Sequence, residues 1–166
     1  MPVSPDDPVE KAANLAYSYE QSRGSCPQCV LAALMETLAI GHPTVIRASD
    51  SLAGGTALST EGTCGALVGG MLALGLLTGR SYENFQQGDK KRRVFVPAQK
   101  LYQRFVTEYG SPVCKQVQEA IMERSFDLLS PRGYAAFEEA GRHRDKCPGV
   151  AANVARWTAD IIVNEL

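Results

Sequence analysis

Four of the five cysteines lie where the surrounding residues predict the start of a helix. These are Cys26, Cys64, Cys114 and Cys147. A helix start offers free backbone N–H groups and the positive end of the helix dipole, and both favour a thiolate over a thiol. The set therefore indicates a site that collects negatively charged sulfur, either as a metal or iron–sulfur centre or as a group of reactive thiols.

The spacing of these cysteines departs from that of common zinc sites, which have two closely spaced pairs of ligands. Here only Cys26 and Cys29 form a CxxC pair, and the other three cysteines stand alone. Single ligands from four helix ends can still converge in a helical bundle. Helix N-termini would stabilise the negative charge of an iron–sulfur cluster there, and the glycines before Cys64 would let the loop backbone pass close to it.

Two alternatives remain open from the residues alone. In a metal-free thiol protein or sensor, Cys26 is the nucleophile, and Cys29 or a distant cysteine resolves it. A thioredoxin-like enzyme is not favoured, because its CxxC follows a strand, whereas here a helix and a short turn precede the motif. In a non-catalytic helical assembly module the cysteines are packing residues, a role that suits Cys29, one turn inside its helix.

The composition is that of an ordinary soluble protein. The chain has 166 residues, a formal net charge of −1 and 45% hydrophobic residues, which predicts one domain over 1–166 and no strong field for nucleic acid or membranes. The N-terminus is acidic and unlike a secretory signal, and residues 1–7 are predicted to be a flexible arm. The longest uncharged apolar stretch, 64–79, is short for a membrane span. We expect a cytoplasmic protein with reduced, catalytic or metal-bound cysteines.

Almost every segment has the periodicity of a helix, and no strand pattern stands out. Capping boxes are predicted at Asp7 with Glu10 and at Ser25 with Gln28. The predicted helices cover 8–22, 26–40, 43–52, 64–77, 93–109, 112–129 and 147–164, with a loop at 54–63, a polar loop at 79–91 and an unclear segment at 130–146 that includes a possible short helix. The sequence therefore predicts an all-α, single-domain bundle of about seven helices.

The fourth predicted helix, 64–77, is apolar all round and rich in glycine, so we expect it at the centre of the fold. Each glycine weakens a helix by roughly 1 kcal/mol relative to alanine. That loss is understandable if another helix or a symmetry mate approaches the backbone closely. A homodimer is therefore a further prediction.

The ordered cysteines carry a resemblance to a known family. The chain resembles the C_GCAxxG_C_C family of redox-active proteins, named for four cysteines and a Cys-Gly-Ala-x-x-Gly motif. That motif is present here at residues 64–69. Cys26-Pro-Gln-Cys-Val resembles the family's first helix start, Cys114 follows a helix-ending glycine, and Cys147 opens the last helix. The likeness extends from about residue 12 to the end of the chain.

The resemblance implies a small helical redox protein for electron transfer, with an unknown redox partner protein. Related regions are similar to part of the split-Soret cytochromes, which implies an iron–sulfur cluster, with [2Fe–2S] as the suggested type. The expected ligands are Cys26, Cys64, Cys114 and Cys147, with Gly65 beside the cluster. Cys29 stands where the family tends to have alanine, so it is an extra ligand, a resolving thiol or neither. The absence of CxxCH excludes covalent c-type haem.

The sequence supports a functional role for other polar residues less strongly than for the cysteines. His42 and His143 lie in predicted loops, where histidines are usually solvated, although either can be a ligand or proton carrier. The basic run at 89–93 suits either an acidic partner or an anion, or is a solvated helix lead-in. Arg142 and its basic neighbours flank Cys147 and would lower the pKa of that thiol if they lie close to it.

Overall fold

Helices dominate the computed structural model, which describes residues 7–90 and 92–166. A 3-10 turn at Asp50–Leu52 and a π-helical turn at Arg142–Lys146 complete the helical segments of this part of the chain. The nine α-helices within it are α1 (Pro8–Ser22), α2 (Cys26–Leu38), α3 (Pro43–Ser49), α4 (Gly65–Thr78), α5 (Tyr82–Gln86), α6 (Phe95–Tyr109), α7 (Cys114–Met122), α8 (Pro131–Glu139) and α9 (Cys147–Glu165).

The all-α prediction is confirmed, since the described residues contain no strand and only an isolated bridge between Thr63 and Val113. The predicted count of about seven helices is not confirmed. The additional helices are α5, inside the predicted polar loop, and α8, in the segment whose structure the sequence left unclear. Most of the arm predicted at 1–7 lies outside the described residues; Asp7, which is described, caps α1.

The core forms where α1, α2, α4, α6 and α9 meet. α1 packs along α9, α2 packs against α1, α4 and α9, and α6 packs against α4 and α9. Large side chains that are completely enclosed at this junction include Leu31, Leu34, Phe105 and Ile161. A smaller cluster of Phe126, Leu128 and Phe137 lies beside Cys147. Cys64 is thus part of the main core and Cys26 packs against it, whereas Cys147 packs against the smaller cluster.

The two predicted capping boxes form only in part. The Asp7 carboxylate accepts a hydrogen bond from the Val9 N–H, as expected, but Glu10 is paired with Arg156 instead of completing the box. Ser25 has a φ of 62° and its hydroxyl donates to Asp50, while Gln28 donates to the Ile46 carbonyl. Tertiary partners on α9 and around α3 therefore replace the local bonds that the sequence predicted.

Two predicted helices are shorter in the structure. The helix predicted at 26–40 ends at Leu38, where Ala39 takes the left-handed conformation with a φ of 53°. The helix predicted at 112–129 covers only Cys114–Met122, because Glu123 has a φ of 62° and the Gln118 side chain accepts the Phe126 N–H. No helix in the described part of the chain is long and apolar enough to cross a bilayer.

Close approach within the chain accounts for most glycines of α4. A Cβ added at Gly65 or Gly69 would come within 2.7 Å of Pro27 atoms, and one at Gly70 would come 2.7 Å from the Thr158 hydroxyl. Gly75 has nothing within 4 Å of such a Cβ. The two ends of α4 differ in exposure, because its first half is buried whereas Leu76 and Leu77 are exposed. Three of the four glycines therefore meet neighbours inside the same chain, without a symmetry mate.

Candidate functional site

The four predicted site cysteines line a single cavity, although they come from four distant parts of the sequence. Cys26, Cys114 and Cys147 are the first residues of α2, α7 and α9, and Cys64 immediately precedes α4. The cavity measures about 30 Å³ and is closed by apolar side chains of α7 and by Leu128, Phe137 and Val150. The structure thus brings the four side chains to one small, largely apolar space.

Glycines allow the helix starts to approach one another. Gly65 and Gly69 lie one turn apart on α4 and face the Cys26–Pro27 turn, where a Cβ on Gly69 would lie 2.6 Å from the Pro27 carbonyl oxygen. Gly55 has a φ of 73°, and a Cβ there would lie 2.7 Å from the Cys114 Cβ. Steric contact with backbone leaves little freedom for a larger residue at these positions. The glycines of the Cys-Gly-Ala-x-x-Gly motif therefore set the distance between α4 and α2.

Backbone hydrogen bonds join the segments that carry Cys64 and Cys114. The Cys64 N–H donates to the Pro112 carbonyl at 2.7 Å, and the Cys114 N–H donates to the Gly62 carbonyl at 2.9 Å. The Lys115 N–H also donates to the Thr60 carbonyl, at 2.9 Å. These bonds fix the two cysteines relative to each other without a disulfide, and all five cysteines of the chain are free thiols.

Fewer backbone N–H groups are free at the helix starts than the sequence predicted. At α4 the N–H groups of Ala66 and Leu67 lie close enough to the Cys64 sulfur to lower its pKa. At α9 the Cys147 N–H is already bonded to the Arg142 carbonyl, because the π-helical turn leads directly into the helix. The N–H of the first helical residue is therefore already bonded at Cys147, as it is at Cys114, so neither helix start is as free as the sequence predicts.

Burial holds several of the thiols in the neutral form. It raises the pKa of Cys114 to about 12, and it raises the pKa of Cys64 despite the N–H groups of Ala66 and Leu67. A side-chain interaction with Cys26 and then burial raise the pKa of Cys147. Neighbouring sulfurs add to these shifts, because a second thiolate in the same enclosed space is repelled by the first. The cavity therefore favours neutral thiols over several thiolates.

A buried ion pair lies against the sulfurs. Arg142 is 7% exposed and its guanidinium lies 3.9 Å from a Glu20 carboxylate oxygen, while Glu20 is completely enclosed. The Cys26 thiol donates to Oε1 of Glu20 at 3.3 Å, and among the described atoms Oε2 of Glu20 has no hydrogen-bond partner. Burial acts to lower the pKa of Arg142, but the neighbouring Cys26 and Glu20 raise that pKa by more, so the guanidinium stays charged.

Two residues of the site have roles that the cysteine pattern did not predict: Glu20 and Arg142. Glu20 follows Ala12 and Ala16 at steps of four residues, so it lies on the buried face of α1. A carboxylate on such a face is the signal that could have identified it. Arg142 was predicted only as a neighbour of Cys147, whereas its guanidinium also contacts the carboxylates of Glu20 and Glu138.

The fifth cysteine and the two histidines lie outside the cavity wall. Cys29 is buried, and its thiol donates to the Gly24 carbonyl at 2.8 Å. Burial and the nearby Glu20 raise the pKa of Cys29. His42 caps α3 by accepting from the Thr44 N–H, and His143 pairs with Glu138. These contacts give all three residues structural partners.

The donor chemistry of the cavity suits an iron–sulfur cluster, whereas its present volume is small. Four cysteine sulfurs are the usual ligand set of such a cluster, and Arg142 supplies a positive charge beside them. Within residues 7–90 and 92–166, no three His, Cys, Asp or Glu side chains are grouped so that they could hold a metal ion. Binding would therefore require the cysteine side chains to lose their protons and to rearrange.

Comparison with known proteins agrees with the cysteine pattern. The family model described as "Putative redox-active protein (C_GCAxxG_C_C)" matches residues 25–161, which include all five cysteines. Neither the curated proteins nor the solved structures contain a match. Because the family model covers most of the chain and includes the residues that line the cavity, this protein belongs to the C_GCAxxG_C_C family of redox-active proteins.

Proposed function

We propose that this protein transfers electrons through an iron–sulfur cluster of the [2Fe–2S] type held by Cys26, Cys64, Cys114 and Cys147. The observation that carries the proposal is that these four side chains, from four separate helix starts, line one cavity. Packing alone gives no reason for four distant sulfurs to meet beside a buried cation. When bound, the cluster supplies one-electron redox chemistry at a potential that the surrounding protein tunes.

The residues around the cavity have separate roles in this proposal. Arg142 offsets part of the negative charge of the four thiolates. The N–H groups of Ala66 and Leu67 favour the thiolate form of Cys64. Gly65 has no side chain and so leaves room beside Cys26 and Cys64, while apolar residues of α7 and α9 exclude water. A low-dielectric wall of this kind strengthens every charge interaction inside it.

The proposal is tested by anaerobic reconstitution with iron and sulfide, followed by absorption and electron paramagnetic resonance spectroscopy. We expect visible absorption with iron and sulfide in equal amounts, and loss of both in Cys26→Ser, Cys64→Ser, Cys114→Ser and Cys147→Ser. Cys29→Ser is the matched control, because it removes a buried thiol that does not line the cavity, and it should keep the cluster. Colourless wild-type protein, or equal loss in Cys29→Ser, would contradict the proposal.

A second candidate function is metal-free thiol–disulfide exchange, in which Cys26 and Cys147 together reduce a disulfide of a partner protein. It is favoured by the position of both residues in the lining of one cavity, where an interaction with Cys26 raises the pKa of Cys147. In this reaction the Cys26 thiolate attacks a partner disulfide, and the Cys147 thiolate then displaces the partner from the mixed disulfide. Two electrons and two protons pass from the protein's thiols to the partner, which leaves as a dithiol.

Thiol counting by mass spectrometry after mild oxidation distinguishes the second candidate from the first. If it is correct, metal-free wild-type protein and Cys29→Ser each lose two free thiols, and Cys147→Ser forms no internal disulfide. An unchanged thiol count in the wild type would rule out this reaction.

Cytoplasmic location and homodimer formation remain predictions from the sequence. Measurement of the protein's size in solution tests the prediction of a homodimer.

A further inference from the structure

A surface at the end of α4 remote from the cysteines combines exposed apolar side chains with basic ones. We define it as the 76–96 surface, formed by the described residues 76–90 and 92–96. Among the described residues, ten large hydrophobic side chains are conspicuously exposed, and six of them belong to this short segment. These six are Leu76, Leu77, Tyr82, Phe85, Phe95 and Val96. Their concentration in one segment distinguishes the patch from scattered exposed residues, which are normal on a soluble protein.

The same segment is strongly basic. Residues 76–96 contain five Lys and Arg residues and two acidic residues, a net charge of +3 in a chain whose total is −1. Arg80, Lys90, Arg92 and Arg93 are exposed. The positive charge is therefore concentrated on this part of the protein and opposes the sign of the remainder.

Basic and apolar side chains of this segment line two clefts that share Arg80. Arg80, Arg92 and Phe95 line a common cleft of about 570 Å³. Arg80 also lines an adjoining cleft with Leu77 and Arg93, and its guanidinium lies 5.3 Å from the centre of the Phe85 ring. Arg80 thus connects the end of α4 with α5 and with the start of α6.

We propose that the 76–96 surface attaches the protein to an anionic phospholipid membrane without spanning it. Cationic side chains bind lipid phosphates, while exposed aromatic and aliphatic groups enter the boundary between headgroups and acyl chains. We choose an anionic membrane as the partner because its negative charge complements the positive charge of the 76–96 surface. Single-stranded nucleic acid uses basic and aromatic groups, but Leu76, Leu77 and Val96 offer no ring on which a base can stack.

The position of the surface also argues against an acidic electron-transfer protein as its partner. α4 has 14 residues, so its ends lie about 20 Å apart at 1.5 Å per residue. The cysteine cavity lies at the first end and the 76–96 surface at the other. Binding there to a membrane would leave the cysteine end free for a soluble redox partner.

Vesicle sedimentation tests this proposal on the full-length protein. Vesicles of phosphatidylglycerol and phosphatidylcholine should bind the protein at low salt, and added salt should weaken binding, whereas phosphatidylcholine alone should bind far less. The variant Lys90→Gln/Arg92→Gln/Arg93→Gln should lower the partition coefficient roughly a hundredfold, about fivefold per charge. Phe95→Ser should lower it roughly tenfold. These outcomes support the proposal.

The matched control is Lys11→Gln/Arg47→Gln/Arg132→Gln, which makes the same charge change at exposed positions outside the surface. It should retain most of the binding, and circular dichroism verifies that each variant is folded. Absence of binding to anionic vesicles at low salt, or equal loss in both triple variants, overturns the proposal. The proposal is also overturned if the protein binds a single-stranded oligonucleotide but not vesicles, and if the substitutions at Lys90, Arg92 and Arg93 abolish that oligonucleotide binding.

Discussion

Glu20 and Arg142 place a carboxylate and a guanidinium in the interior, next to the thiol of Cys26. Removing one member of a buried pair leaves the other charged and unpaired. We therefore expect Arg142→Met to lower the free energy of unfolding by about 3 kcal/mol, and the double variant with Glu20→Gln to regain part of that loss. Urea denaturation measures both. Arg144→Met is the control, because Arg144 is exposed and pairs with its neighbour Asp145; equal effects at 142 and 144 would contradict this prediction.

Two glycines of α4 should respond in opposite directions to alanine. Gly69→Ala would place a Cβ 2.6 Å from the Pro27 carbonyl oxygen, so backbone must shift, and we expect a loss of about 2 kcal/mol. Gly75→Ala adds its methyl group in open space and should gain about 0.5–1 kcal/mol from helix propensity. Thermal unfolding monitored by circular dichroism gives the sign of each change. A loss at both positions would show that helix propensity does not govern Gly75.

Local signals in the sequence were sufficient to locate the helix starts at the cysteines, because each start has its own turn or proline. They were insufficient for the side chains that surround them. The hydroxyl of Ser25 meets Asp50 and the amide of Gln28 meets the Ile46 carbonyl, so partners distant in sequence replaced the predicted capping box. The contact between Glu20 and Arg142 likewise joins α1 to the turn before α9, a pairing that helical periodicity cannot specify.

At the scale of elements, the loop between α3 and α4 contains a run of left-handed residues that the sequence did not predict. Gly54, Gly55, Thr56, Ala57 and Leu58 all have positive φ values. The last three are not glycine, and each left-handed residue of this kind costs roughly 1–2 kcal/mol. The C-terminal end of the loop is held by the carbonyl groups of Thr60 and Gly62, which accept hydrogen bonds from the first residues of α7. Tertiary contacts at the cavity therefore offset a local conformation that the chain does not prefer.

Relief of this strain is measurable at Ala57, which is exposed and has a φ of 52°. Ala57→Gly should raise the free energy of unfolding by about 0.5–1 kcal/mol, because glycine adopts positive φ without a steric penalty. Ala135→Gly, at an exposed position inside α8, should instead lower it by about 1 kcal/mol. Chemical denaturation of the two variants compares them directly. A loss at Ala57 as large as that at Ala135 would show that the left-handed run is not strained.

Sequence periodicity predicted long helices well and short or interrupted ones poorly. The bounds of α1 agree with the prediction at both ends, because the helix has a capping aspartate, Pro8 in its first turn and Gly24 after it. α5 has only five residues, which is too short a segment for helical periodicity to be detected. The early end of α7 depends on the bond between Gln118 and the Phe126 N–H, which only the folded chain contains. Packing therefore decided the elements that local patterns left uncertain.

For the whole molecule, ion pairs attach the last helix to its neighbours on two sides. The Arg156 guanidinium binds both Glu10 oxygens, at 2.7 and 3.0 Å, and joins α9 to α1. Arg104 binds Asp160 at 2.6 Å and joins α6 to α9. α9 also begins at Cys147, so these pairs hold the same helix that contributes a sulfur to the cavity. Loss of both pairs should loosen the packing of α9 as a unit.

The pH dependence of stability follows from these two pairs. The hydrogen bond from Arg156 lowers the pKa of Glu10, and bonds from Arg104 and Asn164 lower that of Asp160. A carboxyl whose pKa is lower in the folded state stabilises it above the pKa of the unfolded chain, and this contribution is lost as pH falls through the folded value. Urea unfolding should therefore show stability falling from about pH 6 to about pH 3. Glu10→Gln/Asp160→Asn should be less stable at neutral pH and lose less on acidification. The control Glu119→Gln/Glu123→Gln removes two exposed carboxyls from the end of α7 and should keep the wild-type dependence of stability on pH. If the variant at Glu10 and Asp160 also keeps that dependence, acid acts on α9 through other groups.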